Sequence, residues 1–212
     1  AVSEADAGMM RKQYGVQRVD AVATGVNLDY FAQSSKAEPR QDLVFVGSMD
    51  WMPNEDGMRW FVGEVWPKIR KGRNCQLAIV GRNPGAEIQR MGESGEGVTV
   101  TGTVPDVRPW LHGGRICIVP LRIGGGTRLK VYEAMAAGLP VVSTTVGAEG
   151  LDYSDGDNLR IADSAEDFAE ACLELLADED QRRRIADQAR QLVRERYSWQ
   201  AVTGRFEELL VH

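Results

Sequence analysis

The sequence predicts an α/β protein with a doubly wound, parallel, Rossmann-like sheet. Between Leu43 and Val142, short apolar runs alternate with segments whose apolar residues recur at helical spacing. Near-continuous apolar strands are typical of a parallel sheet that is covered on both faces. Right-handed crossovers between such strands place helices on both faces of the sheet. The length of 212 residues allows one large domain or one and a half ordinary ones.

Five strands are predicted, and the first three end at a glycine. In chain order they cover residues 42–47, 76–81, 98–102, 115–120 and 140–144. Apolar residues at helical spacing predict helices over 58–69, 127–137 and 163–196, and a last helix that ends near Leu210. Tyr197-Ser198-Trp199 interrupts the helical pattern before that last helix.

The residues before the first strand differ from this core. They predict a short helix over 3–14, a strand over 19–24, and a polar linker over 32–41 that contains Ser34, Ser35 and Pro39. One helix and one strand cannot bury a core of their own. We therefore expect 1–31 to be the tail of another domain, 42–196 to form the sheet domain, and 197–212 to form a separate C-terminal helix.

Composition excludes several classes of protein. With 25 basic and 31 acidic residues the net charge is −6, which disfavours a nucleic acid partner. Three cysteines form no disulfide framework and are expected to be buried thiols in a reducing, cytoplasmic compartment. No apolar stretch approaches 18 residues and no basic-then-apolar leader is present, so we expect neither a membrane span nor a signal peptide.

The strongest local signal is a run of three glycines, Gly124, Gly125 and Gly126, between the fourth strand and the next helix. Such a loop lets the backbone approach a ligand, and free N–H groups at a helix N-terminus favour a phosphate. Arg128 and Lys130 lie in the first turn, where the helix dipole alone prefers acids, which suggests an anionic ligand. Glu133 is placed to accept hydrogen bonds from a ribose diol. Three glycines alone are more often a flexible loop than a phosphate-binding loop, and they match neither a Walker loop nor a dinucleotide fingerprint.

Three more loops at the carboxyl edge of the sheet carry glycine, where ligands bind in open α/β folds. They are Gly47-Ser48, Gly81-Arg82 and Gly102-Thr103-Val104. Asn54 and Asp106 are also interpretable as helix caps, Arg82 as a surface charge, and Trp51 and Trp60 as packing residues. His112 and His212 lack partners at metal spacing, so no metal site is predicted, and no complete catalytic constellation is identified.

The stretch from Gly124 to Thr144 resembles the donor-site signature of family 4 glycosyltransferases, which are retaining enzymes of the GT-B fold. Gly147-Ala-Glu-Gly150 and the Tyr-Ser-Trp that ends at Trp199 add to the resemblance. Val22 to Phe31 is similar to the segment that leaves the N-terminal domain of such an enzyme. The resemblance thus covers the C-terminal, donor-binding half, with 197–212 as its crossover helix.

The resemblance implies roles for particular positions. Glu133 matches the second glutamate of the family's Glu–seven residues–Glu motif, which contacts the ribose. The first glutamate, which faces the donor sugar, falls on Gly125. The amides of Thr127, Arg128 and Leu129 match those that hold the diphosphate, and Gly102 to Val104 match the backbone that contacts the base.

A second departure from the family pattern lies after the first strand. Ser48 stands where members carry an arginine, and 54–56 supply no lysine. Our hypothesis is that Arg128 and Lys130 replace that charge from the opposite loop, because a diphosphate without cations would be poorly stabilised.

The resemblance implies a hexosyltransferase domain of polysaccharide biosynthesis that is inactive alone and needs no cofactor. Its partners would be a UDP- or GDP-sugar donor and, through the missing N-terminal domain, a glycan or lipid-linked acceptor. Peripheral membrane association of the full-length protein is compatible with such an acceptor. Two alternatives stay open: a non-catalytic GT-B-like binding or interaction module, which the two departures favour, and a GT-B sugar-nucleotide epimerase.

Overall fold

Six parallel strands form one sheet in the computed structural model, which describes residues 1–32 and 41–211. The strands are β1 (Gln41–Val46), β2 (Leu77–Val80), β3 (Val98–Gly102), β4 (Gly114–Val119), β5 (Val141–Ser143) and β6 (Arg160–Ile161). Their order in the sheet is β3-β2-β1-β4-β5-β6. The predicted fold class and the five predicted strands are confirmed. Strand β6 was missed because two half-buried residues do not form an apolar run.

Helices cover both faces of the sheet. In chain order, the helices of the described residues are α1 (Glu4–Tyr14), α2 (Leu28–Ala32), α3 (Met52–Trp60), α4 (Trp66–Gly72), α5 (Ala86–Glu93), α6 (Arg108–Gly113), α7 (Leu129–Ala137), α8 (Ala165–Ala177), α9 (Glu179–Arg196) and α10 (Trp199–Val211). One π-helical turn, Phe61–Val65, joins α3 to α4. The helical pattern over 163–196 is two helices, because the side chain of Asp178 caps α9 by accepting the N–H of Gln181.

Alternate residues of the strands face two separate hydrophobic clusters. Leu43 and Phe45 of β1 pack with α3, α4 and α8 on one face. Val44, between them, packs with α6, α7 and α9 on the other. This alternation with a period of two explains why the strands are almost continuously apolar, since both of their faces are buried.

The sheet order changes direction between β1 and β4. The chain leaves β1 to build β2 and β3 on one side, and it returns through β4 to build β5 and β6 on the other. The loops that follow β1 and β4 therefore separate and leave a crevice at the carboxyl edge of the sheet. Ligands bind open α/β sheets at this switch point.

The predicted strand over 19–24 is wrong. These residues lie beside the start of the chain, where Val22 N–H donates to the carbonyl of Ala1 at 2.9 Å, and form no ladder. One isolated parallel bridge joins Val26 to Ser198, and a Cβ on Gly25 would lie 2.9 Å from the ring of Trp199. The N-terminal segment is thereby held against the start of α10.

Other expectations are only partly covered by the described residues. Most of the predicted linker, including Ser34, Ser35 and Pro39, lies outside them, as does His212. The division into 1–31, 32–41, 42–196 and 197–212 stays a prediction. All three cysteines are buried and free. Within 1–32 and 41–211, no helix has the length and apolar character needed to cross a membrane.

Candidate functional site

Glycines allow close backbone contact between the loops after β1 and β2, and between helix α3 and the end of β4. A Cβ on Gly81 would lie 1.8 Å from the carbonyl oxygen of Gly47, which only a glycine can avoid. A Cβ on Gly57, in α3, would lie 2.7 Å from the carbonyl oxygen of Pro120. The two sides of the crevice are therefore set by close backbone packing, and we expect them to be rigid.

The amino end of α7 lies at the switch point, and its first residues, Thr127, Arg128 and Leu129, line a cavity of about 620 Å³. The glycine loop before it is exposed, and Gly124 and Gly126 adopt φ values of 113° and 92°, which other residues rarely reach. No side chain caps α7, whose cap residue is Arg128. The first N–H groups of a helix have no partner within it, so this end can bind an anion.

The side chain of Arg128 corrects part of the charge-replacement hypothesis. It is 2% exposed, and its guanidinium donates to the carbonyl oxygens of Gly124, Gly125 and Val146 at 2.9–3.2 Å. It also lies 3.6 Å from a carboxylate oxygen of Glu149. Burial lowers its pKa. The guanidinium thus fixes the glycine loop from beneath, instead of facing a ligand.

Lys130, in contrast, reaches the end of β1. Its Nζ donates to Oδ1 of Asn54 at 2.6 Å, and Nδ2 of Asn54 donates to the carbonyl of Ser48 at 2.7 Å. A Cβ on Gly47 would meet both Nζ and Nδ2 at 2.8 Å, so the missing side chain makes room for the ammonium. Burial lowers the pKa of Lys130 to about 8. The sequence suggested that Asn54 is a helix cap, and this interpretation is wrong. Its buried side chain instead links Lys130 to the loop after β1.

Glu133 lies one turn further along α7. It is half-buried, and burial raises its pKa, which the nearby Lys130 counteracts. With 3.6 residues per turn, Leu129, Lys130 and Glu133 share one face of the helix, and all three are only partly buried, unlike Val131 and Met135. The carboxylate thus lies on the accessible face of α7 and outside the hydrophobic core.

Polar side chains link the loops after β1 and β2. Arg82 Nε donates to Oγ of Ser48 at 2.8 Å, and Asn83 donates to a carboxylate oxygen of Asp50 at 2.9 Å. Hydrogen bonds from Ser48 and Asn83 lower the pKa of Asp50. Arg82 remains largely exposed, so its interpretation as a surface charge and its candidacy as a ligand contact are both compatible with its position.

The loop after β3 lies further along the same edge, two strands from β1. Gly102 has a φ of 66°, Thr103 is exposed and Val104 is half-buried. Gly102 lines a shallow groove of about 480 Å³ beside the edge strand β3. Asp106 accepts the N–H of Arg108 at 2.9 Å, so it caps the start of α6 from one residue before the cap position.

The cavity of about 620 Å³ at the amino end of α7 is larger than the groove beside β3. Of the predicted site residues it contains only Gly125, Gly126, Thr127, Arg128 and Leu129. Its other walls come from the start of α1, residues 21–24 and the segment around Gly150. Tyr132 and Tyr197 also line it and stack with ring centroids 4.0 Å apart. Sequence reasoning missed these walls because nothing local in them indicates a site.

The predicted residues after β1 and β2 thus lie together with Lys130, residues 125–129 line the 620 Å³ cavity, and the loop at 102–104 stands apart. Within the described part of the chain, no cluster of histidine, cysteine and acidic residues is arranged to hold a metal ion.

Residues 40–178 match the family described as "Glycosyl transferases group 1". The chain belongs to this family. The match covers the sheet from β1 through α8 and includes the whole crevice.

Curated relatives of this family member include two enzymes of lipopolysaccharide synthesis. A lipopolysaccharide 1,2-N-acetylglucosaminetransferase of Salmonella typhimurium is 33% identical over 111 residues, 50% of this chain and 29% of that protein. A lipopolysaccharide core biosynthesis glycosyltransferase, LpsE, of Rhizobium meliloti is 28% identical over 161 residues, which cover 66% of this chain and 46% of that protein. The chain spans less than half the length of the curated relatives it matches.

Solved structures of glycosyltransferases share the fold. Alr3699/HepE of Anabaena in complex with UDP superposes with a TM-score of 0.81 at 15% identity, covering all of this chain and 62% of that one. The C-terminal domain of LpcC, a glycosyl transferase group 1 family protein of Francisella tularensis, superposes with a TM-score of 0.68 at 18% identity. The superposition covers 82% of this chain and 100% of that one. At these identities the likeness concerns the fold alone.

Proposed function

We propose that this chain is the donor-binding domain of a retaining family 4 glycosyltransferase, which transfers a hexosyl unit from a nucleotide-diphosphate sugar. One observation carries the proposal. The uncapped, glycine-flanked amino end of α7 lies at the switch point of the sheet and lines a cavity of about 620 Å³, and Lys130 lies in the same first turn. Free amides with a cation in the same helical turn are suited to a diphosphate.

The proposed mechanism stabilises the leaving group. As the bond between sugar and phosphate breaks, negative charge grows on the nucleoside diphosphate. The amides of Thr127, Arg128 and Leu129 donate to it, and Lys130 balances its charge. Arg128 contributes through its buried side chain, which holds the carbonyls of the glycine loop away from the anion. Glu133 accepts hydrogen bonds from the ribose diol on the open face of α7.

The relatives guide the choice of substrates. Two of them are named for lipopolysaccharide synthesis, and HepE was solved with UDP. We therefore place a UDP-sugar first among donors, with a GDP-sugar second, and a glycan or lipid-linked molecule as acceptor. Because the chain spans under half of its relatives, the acceptor site belongs to the remainder of such a protein, and this chain alone binds donor without transferring sugar. Its three unpaired thiols favour the cytoplasm.

Calorimetric titration of the 212-residue chain with UDP, GDP and ADP tests the proposal. We expect one nucleotide to bind and Lys130→Met to weaken it at least about tenfold, since a charge-assisted hydrogen bond is worth roughly 1.5–3 kcal/mol. Lys71→Met, which removes an exposed lysine at the end of α4, should leave the affinity unchanged.

Two results would contradict the proposal. Binding of none of the three nucleotides would favour a non-catalytic module. Unchanged affinity in Lys130→Met would show that Lys130 does not bind the diphosphate. Products formed by a longer protein that contains this chain would separate transfer of a sugar from its epimerisation.

A further inference from the structure

Three exposed apolar side chains border the crevice. Trp51, Met52 and Ile123 are 40%, 62% and 40% exposed. Trp51 and Met52 follow β1, and Ile123 directly precedes the glycine loop. Trp51 is therefore only partly packed, whereas Trp60 is buried and packs edge-on against Phe168, as expected.

The ring of Trp51 stands over the glycine loop. Its Cη2 lies 3.6 Å from the position that a Cβ of Gly124 would occupy, and Pro53 packs against the same position at 3.0 Å. The ring centroid is 6.0 Å from Nζ of Lys130. The indole is thus next to the proposed diphosphate site, and part of its surface faces solvent.

We propose that Trp51, flanked by Met52 and Ile123, binds the sugar ring of the nucleotide sugar by stacking against its C–H face. This inference rests on the proposed function. In any such donor the sugar is bonded directly to the terminal phosphate. A diphosphate held by the amino end of α7 and by Lys130 therefore brings the ring within reach of the indole.

The chemistry around Trp51 favours contact with C–H groups over hydrogen bonds to hydroxyls. Residues 123–129 contain no carboxylate, and nothing lies within 4 Å of a Cβ built on Gly125 or Gly126. The glycine loop beside the ring therefore offers no acceptor side chain. The face of an aromatic ring is negative and attracts the weakly positive hydrogens of a sugar C–H face. Trp51 would thus be a residue that recognises the sugar.

Two pairs of ligands separate recognition of the sugar from recognition of the nucleotide. The chain is titrated with UDP and UDP-glucose, or with GDP and GDP-mannose, whichever nucleotide binds the wild type. Trp51→Ala should weaken the nucleotide sugar at least about fivefold, from loss of buried apolar area, and leave the nucleotide alone unchanged. Trp51→Phe should restore part of the affinity. Phe206→Ala, which removes an aromatic residue that is 50% exposed on α10, should change neither.

Saturation-transfer NMR gives a second measurement. The C–H protons of the sugar should receive saturation from the wild-type protein and receive less from Trp51→Ala. The ribose protons should receive equal saturation from both proteins. Equal losses for nucleotide and nucleotide sugar, or no loss for either, would overturn the assignment of Trp51 and leave the donor-binding proposal intact. If the wild type binds no nucleotide at all, both proposals fail.

Discussion

Replacement of Lys130 by methionine should change how the stability of the protein depends on pH. Lys130 is half-buried; its ammonium lies 4.5 Å from the ring centre of Phe45 and donates to the buried amide of Asn54. Burial disfavours its charged form and lowers its pKa from 10.5 to about 8. At neutral pH the amine of Lys130 is therefore protonated in both states, but it binds its proton more weakly in the folded protein than in the unfolded chain.

The sign and size follow from this difference in pKa. Because the pKa of Lys130 is lower in the folded than in the unfolded state, protonation destabilises the fold. The cost is complete below the folded pKa of about 8 and disappears as the pH rises towards 10.5. The full difference corresponds to about 3 kcal/mol, of which about 2 kcal/mol is recovered between pH 7 and pH 9.5.

Urea denaturation at pH 7 and pH 9.5, at one ionic strength, measures this gain. Relative to Lys130→Met, the wild type should gain about 2 kcal/mol in its free energy of unfolding over that interval. Lys71→Met, an exposed control, should gain the same as the wild type. Over the same interval the affinity for diphosphate should fall, because the cation is lost. If the free energy of unfolding changes by the same amount in Lys130→Met and in the wild type between pH 7 and pH 9.5, burial does not lower the pKa of Lys130.

Two further substitutions test the backbone of the site. Arg128→Met should lower the free energy of unfolding by about 2 kcal/mol or more, because it removes the guanidinium donor from the carbonyls of Gly124 and Gly125. Arg194→Met, at an exposed position, should stay within about 0.5 kcal/mol of the wild type. Equal effects would show that Arg128 does not organise the loop. Gly81→Ala should cost about 3 kcal/mol or more, because its Cβ would overlap the carbonyl of Gly47, whereas Gly63→Ala, with open space around it, should be neutral or stabilise the protein by up to about 1 kcal/mol. Urea denaturation measures both pairs, and a tolerated Gly81→Ala would refute the close contact of the two loops.

The sheet was predictable because both faces of its strands are buried, which leaves a continuous apolar run in the sequence. The exceptions have local reasons. Residues 160–161 are too few to form a run, and the alternating residues of 19–24 pack beside Ala1 instead of another strand. The loops could be assigned to one edge of the sheet, since parallel strands all end at the same edge.

Side-chain direction was not predictable from the same reasoning. Arg128 and Lys130 are two residues apart and carry the same charge, yet one points beneath the glycine loop and the other across the crevice. Lys130 and Asn54 are 76 residues apart, and no local pattern in the sequence pairs them. The exposure of Trp51 likewise depends on packing between two loops that are distant in the chain.

The order of apolar runs and glycines by itself determined the α/β class, the strands that carry the candidate site, and the helix end proposed to face it. These features depend on the local periodicity of burial and on backbone freedom, which each short segment records independently. The tertiary structure alone decided which cation meets the crevice, which polar side chain holds it, and which aromatic ring stays in solvent. Those outcomes depend on contacts between segments far apart in the chain, where desolvation and close packing select one partner among several that are chemically similar.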